Sequence, residues 1–124
     1  MRANDPINAD DAPLKRAIID YVTNGDKTVV TAVPGKRIRL INALITVAAQ
    51  LSLTWKSGAN ALSGAMPLGI SATAGGGFII PDGPGGAGYI ETNTGEALVL
   101  NVGTTAIQVG GHISYQVISP PKQE

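Results

Sequence analysis

Apolar and polar side chains alternate with a period of two along much of this chain. Near the N-terminus, Ala17, Ile19 and Tyr21 alternate with Ile18, Asp20 and Val22. Further on, Leu51, Leu53 and Trp55 alternate with Ser52, Thr54 and Lys56. Successive side chains of a β-strand point to opposite faces, so this pattern predicts strands with one face in a core.

Residues 36–57 are too many for one ordinary strand, and we expect a bend or break near Ala48–Gln50. A helix over residues 41–49 is the competing prediction, because ALITVAA has no clean period. A strand is favoured because Ile45, Thr46 and Val47 are β-branched and lose rotamer freedom in a helix.

The C-terminal third alternates most clearly. Leu98, Leu100 and Val102 predict one strand, and Gly103–Thr104–Thr105 predicts the turn after it. In the last strand, one face is predicted to carry Ile107, Val109, Ile113, Tyr115 and Val117. The opposite face carries Gln108, His112, Ser114 and Gln116. Gly110–Gly111 within that strand indicates a bulge or a close backbone approach.

Glycine and proline separate these segments. Asn24–Gly25–Asp26 predicts a tight turn, and Pro34–Gly35 ends the second strand. Residues 64–88 predict a long loop at one end of the domain or beside an oligomer axis, containing a short strand at residues 78–80. Seven or eight strands spaced in this way predict an all-β, single-domain β-sandwich or jelly roll.

The predicted organisation has three parts: an extended N-terminal arm at residues 1–13, the sandwich at 14–119 and a polar tail at 120–124. Trp55 is expected to be at least partly buried. The other predicted core residues are Ile19, Leu40, Ile45, Leu53, Leu100 and Ile113.

Charge and cysteine content narrow the function classes. Nine basic and nine acidic residues give a formal net charge of zero, which provides no long-range attraction to nucleic acid or an anionic membrane. The absence of cysteine excludes disulfides and thiolate metal ligands. Without an apolar run of about 18 residues or a signal-like N-terminus, we expect a soluble chain made in the cytosol.

Candidate catalytic chemistry is sparse, and we predict neither an enzyme nor a cofactor or metal site. His112 is the only histidine, so nucleophilic triads and zinc sites lack partners. Gly83, Gly85 and Gly88 match G-x-G-x-x-G, but Pro84 interrupts the motif and an extended segment follows it. A small lectin-like enzyme using His112 and Glu96 stays open as a minor alternative.

A small basic cluster is the main candidate for partner binding. Lys36, Arg37 and Arg39 begin a predicted strand, and Lys15 and Arg16 lie upstream. These residues either protect a solvated sheet edge or contact an acidic partner surface. Nucleic acid is not expected as the partner, because aromatic stacking platforms are absent.

Two stretches carry a resemblance to a known family. SGANALSGAMPLGI, followed by a Gly/Pro loop and ETNTGEALVLNVGTTAIQVGGHISYQVI, resembles small virion proteins of tailed bacteriophages, from about Lys36 to Ile118. Many proteins of that family are capsid decoration (cement) proteins. The resemblance implies a homotrimer without catalytic residues that binds the assembled major capsid protein on the outer surface of the head.

The resemblance also implies roles for two segments. Residues 1–13 would reach over neighbouring capsid subunits, which makes Asp5, Pro6, Ile7 and Asn8 candidates for partner contact. Residues 75–88 would face the trimer axis or solvent. A head-fibre or tail module that binds a host receptor or glycan is the alternative, because the same fold would carry specificity in its loop tips.

Overall fold

The described residues form two antiparallel β-sheets without a helix. A computed structural model of the chain describes residues 13–81, 90–103 and 107–119. The ten strands are β1 (Lys15–Tyr21), β2 (Gly25–Val30), β3 (Arg37–Val47), β4 (Leu51–Ser57), β5 (Asn60–Ala61), β6 (Met66–Leu68), β7 (Gly76–Ile80), β8 (Ile90–Glu91), β9 (Leu98–Val102) and β10 (Val109–Ile118).

The strand order is that of a jelly roll. Sheet A has the order β1-β10-β3-β7, with β8 also paired to β3, and sheet B has the order β2-β9-β4-β5, with β6 also paired to β4. The first strand therefore lies beside the last, and the second lies beside the one before the last. This nesting confirms the predicted all-β sandwich with jelly-roll topology.

The corner between β3 and β4 carries the chain from sheet A to sheet B. β3 ends at Val47 and β4 begins at Leu51, which confirms both the predicted break and the choice of strand over helix. Backbone hydrogen bonds hold the corner, because Ala48 N–H donates to the Gln108 carbonyl and Gln50 N–H donates to the Ser71 carbonyl. The alternation of inward and outward side chains then resumes in β4, whose inward side chains belong to sheet B.

The core lies between the sheets and contains every residue predicted for it. Trp55 is 1% exposed, so the prediction of partial burial is met in full. The other confirmed core residues are Ile19, Leu40, Ile45, Leu53, Leu100 and Ile113. Burial of one such side chain contributes about 1.5–3 kcal/mol, so this cluster is the main source of stability.

A β-bulge interrupts β3 where it pairs with the last strand. Ser114 lies opposite Asn42 and Tyr115 opposite Leu40, which leaves Ile41 as an extra residue on β3. Beyond the bulge Gln116 and Ile118 are buried. Strand register places Tyr115 opposite the core residue Leu40 and Val117 opposite the core residue Ile38, and it places Gln116 opposite Arg39. Residues directly opposite each other share a face, so the predictions that Val117 shares the face of Ile113 and that Gln116 faces away are confirmed.

Gly111 is a close backbone approach and not the bulge. It has φ of 140°, and a β-carbon there would overlap the carbonyl oxygen of Leu44 on β3. Only glycine adopts this conformation at this separation without a shift of the backbone. The neighbouring Gly110 has room for a β-carbon. Apart from its neighbours in the chain, the nearest atom to an added β-carbon would be the Gln108 amide nitrogen, at 3.9 Å.

Two predicted connections differ from the structure. Asn24–Gly25–Asp26 does not close a hairpin, since β1 and β2 belong to different sheets and the segment crosses between them. Residues 64–81 are not one loop, because β6 pairs with β4 and β7 pairs with β3. The predicted strand at residues 78–80 is confirmed within β7. Gly83, Pro84, Gly85 and Gly88 lie outside the described residues.

The two glycines of β10 provide a matched test of the close approach. We expect Gly111→Ala to lower the free energy of unfolding by about 1–3 kcal/mol, because it combines backbone strain with a steric overlap. Gly110→Ala is the control, with a change near zero or a small gain. Urea unfolding of both variants measures the difference, and equal effects of the two substitutions would contradict this account.

Candidate interaction surface

The outer face of sheet A carries apolar side chains that the sandwich cannot bury. Strand register places Ile18 beside His112, His112 beside Leu44 and Leu44 beside Ile79. We call these four residues the apolar row. Ile18 is 74% exposed, Leu44 40% and Ile79 71%. The row crosses the four principal strands of the sheet at right angles to them.

A shallow depression lies at the β7 end of the apolar row. It has a volume of about 300 Å³ and is lined by Asn42, Leu44, Ile79, Pro81 and His112, together with Ala43 and Ile80. Exposed apolar groups around a depression are typical of surfaces that bind another protein. We therefore treat the outer face of sheet A as the candidate interaction surface.

The sequence contains a signal for this surface that the alternation analysis did not use. Ile18, Leu44 and Ile79 each lie between two side chains that point inward, at positions where a solvated face would carry polar residues. A strand that is apolar on both faces indicates that both faces have a partner. Strand pairing is needed to show that the three residues share one row.

Two arginines of the predicted basic cluster are paired within the chain. Arg39 Nε donates to Glu91 Oε2 at 3.0 Å, and Arg37 Nη1 lies 3.6 Å from Glu91 Oε1. Arg37 Nε also donates to Thr94 Oγ1 at 3.1 Å. These bonds join β3 to β8 and the following turn, on the same face of sheet A as the apolar row.

The other predicted partner residues have different surroundings. Lys36 Nζ donates to Ser119 Oγ at 2.8 Å. Lys15 and Arg16 are exposed on β1, separated from β3 by β10. Asp5, Pro6, Ile7 and Asn8 lie outside the described residues. Contact between any of these side chains and a partner stays a prediction.

A buried serine holds the turn after β8, where Thr94 accepts a hydrogen bond from Arg37. Ser57 is fully buried; its hydroxyl donates to the Glu96 carboxylate and accepts from Asn93 N–H at 2.8 Å. Asn93 Nδ2 donates to Glu96 Oε1 at 3.2 Å. The hydrogen bonds from Ser57 and Asn93 favour the ionised form of Glu96 and lower the pKa of that carboxyl.

Glu96 and His112, the pair considered for a lectin-like enzyme, occupy different parts of the molecule. Glu96 bonds to Ser57 at the end of β4 in sheet B, whereas His112 lies between Ile18 and Leu44 on the outer face of sheet A. Among residues 13–81, 90–103 and 107–119, no group of three acidic or histidine side chains could hold a metal ion. The described part of the chain also has no helix with the length and apolarity to cross a membrane.

Comparison with known proteins does not identify a family for this chain. No protein-family model matches the chain, and no curated protein matches it. Among solved structures, it is similar to a chain in the virus-like particle of the extra small virus of the giant freshwater prawn Macrobrachium rosenbergii. The identity is 14%, the alignment covers 98% of this chain and 88% of that chain, and the TM-score is 0.33.

Replacement of Ser57 tests how the turn beside the surface is held. We expect Ser57→Ala to lower the free energy of unfolding by about 1–3 kcal/mol, because it removes both the hydroxyl that donates to the Glu96 carboxylate and the acceptor of the Asn93 N–H. Ser52→Ala on the same strand is the control, since Ser52 lies on the opposite face of β4. Urea unfolding measures both variants. A loss no larger for Ser57→Ala than for the control would contradict the role of the serine.

The lowered pKa of the Glu96 carboxyl makes the stability of the folded chain depend on pH in a defined direction. Its pKa is lowered in the folded chain, so its contribution to stability is complete above the ordinary value of 4.5 and is lost as the pH falls through the lowered value. We expect Glu96→Gln to reduce the unfolding midpoint near neutral pH and to have little effect in acid. Thermal unfolding of the parent chain and of the variant, from neutral to acid pH, measures the difference between their midpoints. A difference that is the same at all pH values would contradict this expectation.

Proposed function

We propose that this chain is a virion structural protein that decorates the outer surface of a bacteriophage head and binds the assembled lattice of the major capsid protein. The observation that carries the proposal is the apolar row on the outer face of a jelly-roll sheet. The depression beside Leu44 and Ile79 is the proposed centre of the contact with the shell. The proposal requires no cofactor, nucleic acid or membrane.

An exposed apolar row is costly for a protein that acts alone. Single exposed apolar side chains are normal on protein surfaces, whereas contiguous ones mark a surface that another protein covers. The basic side chains of Arg37 and Arg39 border the row on the same face, with Glu91 between them. This arrangement gives an apolar centre and a polar rim, as in specific protein interfaces.

The sequence resemblance supports a capsid as the partner. The two stretches that resemble phage virion proteins contain β5, β6, β9 and β10, and β10 carries His112 of the apolar row. Jelly rolls occur in viral capsid proteins, in lectins and in cupins, so topology supports this class without selecting it. The resemblance to phage virion proteins favours the capsid among these classes.

Mass action explains how such a surface stabilises a shell. A protein that binds only the assembled lattice stabilises each site by RT ln(1 + [L]/Kd), which is about 2.7 kcal/mol at a hundredfold excess over Kd. The contact repeats at every equivalent position of the lattice. Modest affinity at one site is therefore sufficient to reinforce the whole shell.

Cosedimentation with undecorated heads of the encoding phage tests the proposal. We expect the chain to sediment with heads and Ile79→Asp to bind at least about tenfold more weakly, since a buried isoleucine contributes about 1.5–3 kcal/mol. Ile70→Asp is the matched control, because Ile70 is 81% exposed and lies outside the row. It should bind as the parent chain does.

The same experiment separates the alternative function. A head-fibre or tail module would bind host cells or their surface glycans, and it would not saturate sites on undecorated heads. Absence of binding to heads by the folded parent chain would overturn the proposed function. Equal binding by the Ile79 and Ile70 variants would overturn the assignment of the row.

A further inference from the structure

Strand β1 is an open edge of sheet A. It pairs with β10 over seven residues without a register shift, from Lys15 opposite Tyr115 to Tyr21 opposite Val109. Within residues 13–81, 90–103 and 107–119, no strand pairs with its other side. Natural edges are commonly protected by bulges, proline or inward-pointing charges. β1 contains neither a bulge nor a proline, and the charge on its inward-facing set is Lys15 at its first position.

The outward side chains of β1, together with the residues that flank it on either side, Leu14 and Val22, form a self-complementary series. Leu14, Arg16, Ile18, Asp20 and Val22 follow one another at alternate positions, and all five are exposed. Their order is apolar, cationic, apolar, anionic, apolar. On each side of Ile18 a charged residue is followed by an apolar one, and the charges on the two sides have opposite signs.

We propose that β1 pairs with β1 of a second copy of this chain, antiparallel, about a two-fold axis at Ile18. In this register Leu14 faces Val22 of the other copy, and Arg16 faces Asp20 of the other copy. Ile18 faces its own equivalent. Each axis therefore creates two ion pairs and three apolar pairs, which are the favourable cross-strand combinations.

Neighbouring registers are unfavourable, which makes the pairing specific. A shift that centres the axis on Arg16 places like charges opposite each other, and so does one centred on Asp20. An axis at residue 17 places Ile18 opposite Arg16 of the other copy. An axis at residue 19 places Ile18 opposite Asp20 of the other copy. Like charges directly opposite each other destabilise a sheet, so the charges select the register centred on Ile18.

The contact is compatible with the bonds that Asp20 already makes. Gln108 Nε2 donates to Asp20 Oδ1 at 2.7 Å, and a carboxylate has further acceptor sites for an arginine. The pairing joins sheet A of two copies into one continuous sheet. An isologous contact of this kind closes as a dimer and differs from the trimer implied by the family resemblance. The inference does not depend on binding to a capsid.

Charge reversal on the full-length purified chain tests the pairing. We expect sedimentation equilibrium to show a dimer that weakens at high salt, because exposed ion pairs are screened. Arg16→Asp and Asp20→Arg, made separately, should each raise the dimer dissociation constant about tenfold or more, since each places like charges opposite each other twice. The double variant Arg16→Asp/Asp20→Arg restores both ion pairs and should regain most of the affinity.

Controls separate this result from a loss of fold and from shell binding. Gln108→Ala removes only the bond within the chain and should leave the dimer unchanged, and circular dichroism verifies that every variant is folded. Ile79→Asp should weaken binding to heads without affecting the dimer.

Three outcomes would overturn the pairing. The first is a monomer at all concentrations, whether β1 stays open or another segment of the same chain covers it. The second is a trimer that ignores the charges on β1. The third is a double variant as weak as the single variants.

Discussion

Burial of apolar side chains between the two sheets is the interaction on which the rest of the structure depends. Trp55, Leu53 and Leu100 from sheet B meet Ile45 and Ile113 from sheet A, and all five are almost completely removed from water. This burial determines which face of every strand points inward. Because side chains alternate, it also determines which residues the strands present to the outside.

The outer face of sheet A follows from that constraint. A strand that delivers Ile45 to the core must present Leu44 on the opposite face, and the same holds for Ile19 and Ile18. Two layers complete the jelly roll, so no third layer within the described residues covers these side chains. A second molecule on this face would remove them from water, and this supports the structural role in an assembly that we propose.

Charged residues have different roles according to their position in the fold. Arg37 and Arg39 approach Glu91, more than fifty positions later in the sequence, and connect β3 to β8. Partly exposed pairs of this kind contribute little stability, so their effect is mainly on geometry. Arg16 and Asp20 lie on an open strand and have no equivalent pairing to each other within the chain. Their spacing has meaning only in relation to a second strand.

The sequence by itself determined the long strands and the core residues, because a period of two is a local property of the backbone, whereas the short strand β6 fell within a predicted loop. It also identified the break before Leu51 and a special backbone position within Gly110–Gly111, which the structure assigns to Gly111. Strand order, the bulge at Ile41 and the partner of each arginine depended on the tertiary structure. These features arise from contacts between residues far apart in the chain, which a local pattern does not encode. The apolar row shows the difference: each member is visible in the sequence, but only pairing across four strands makes them one surface.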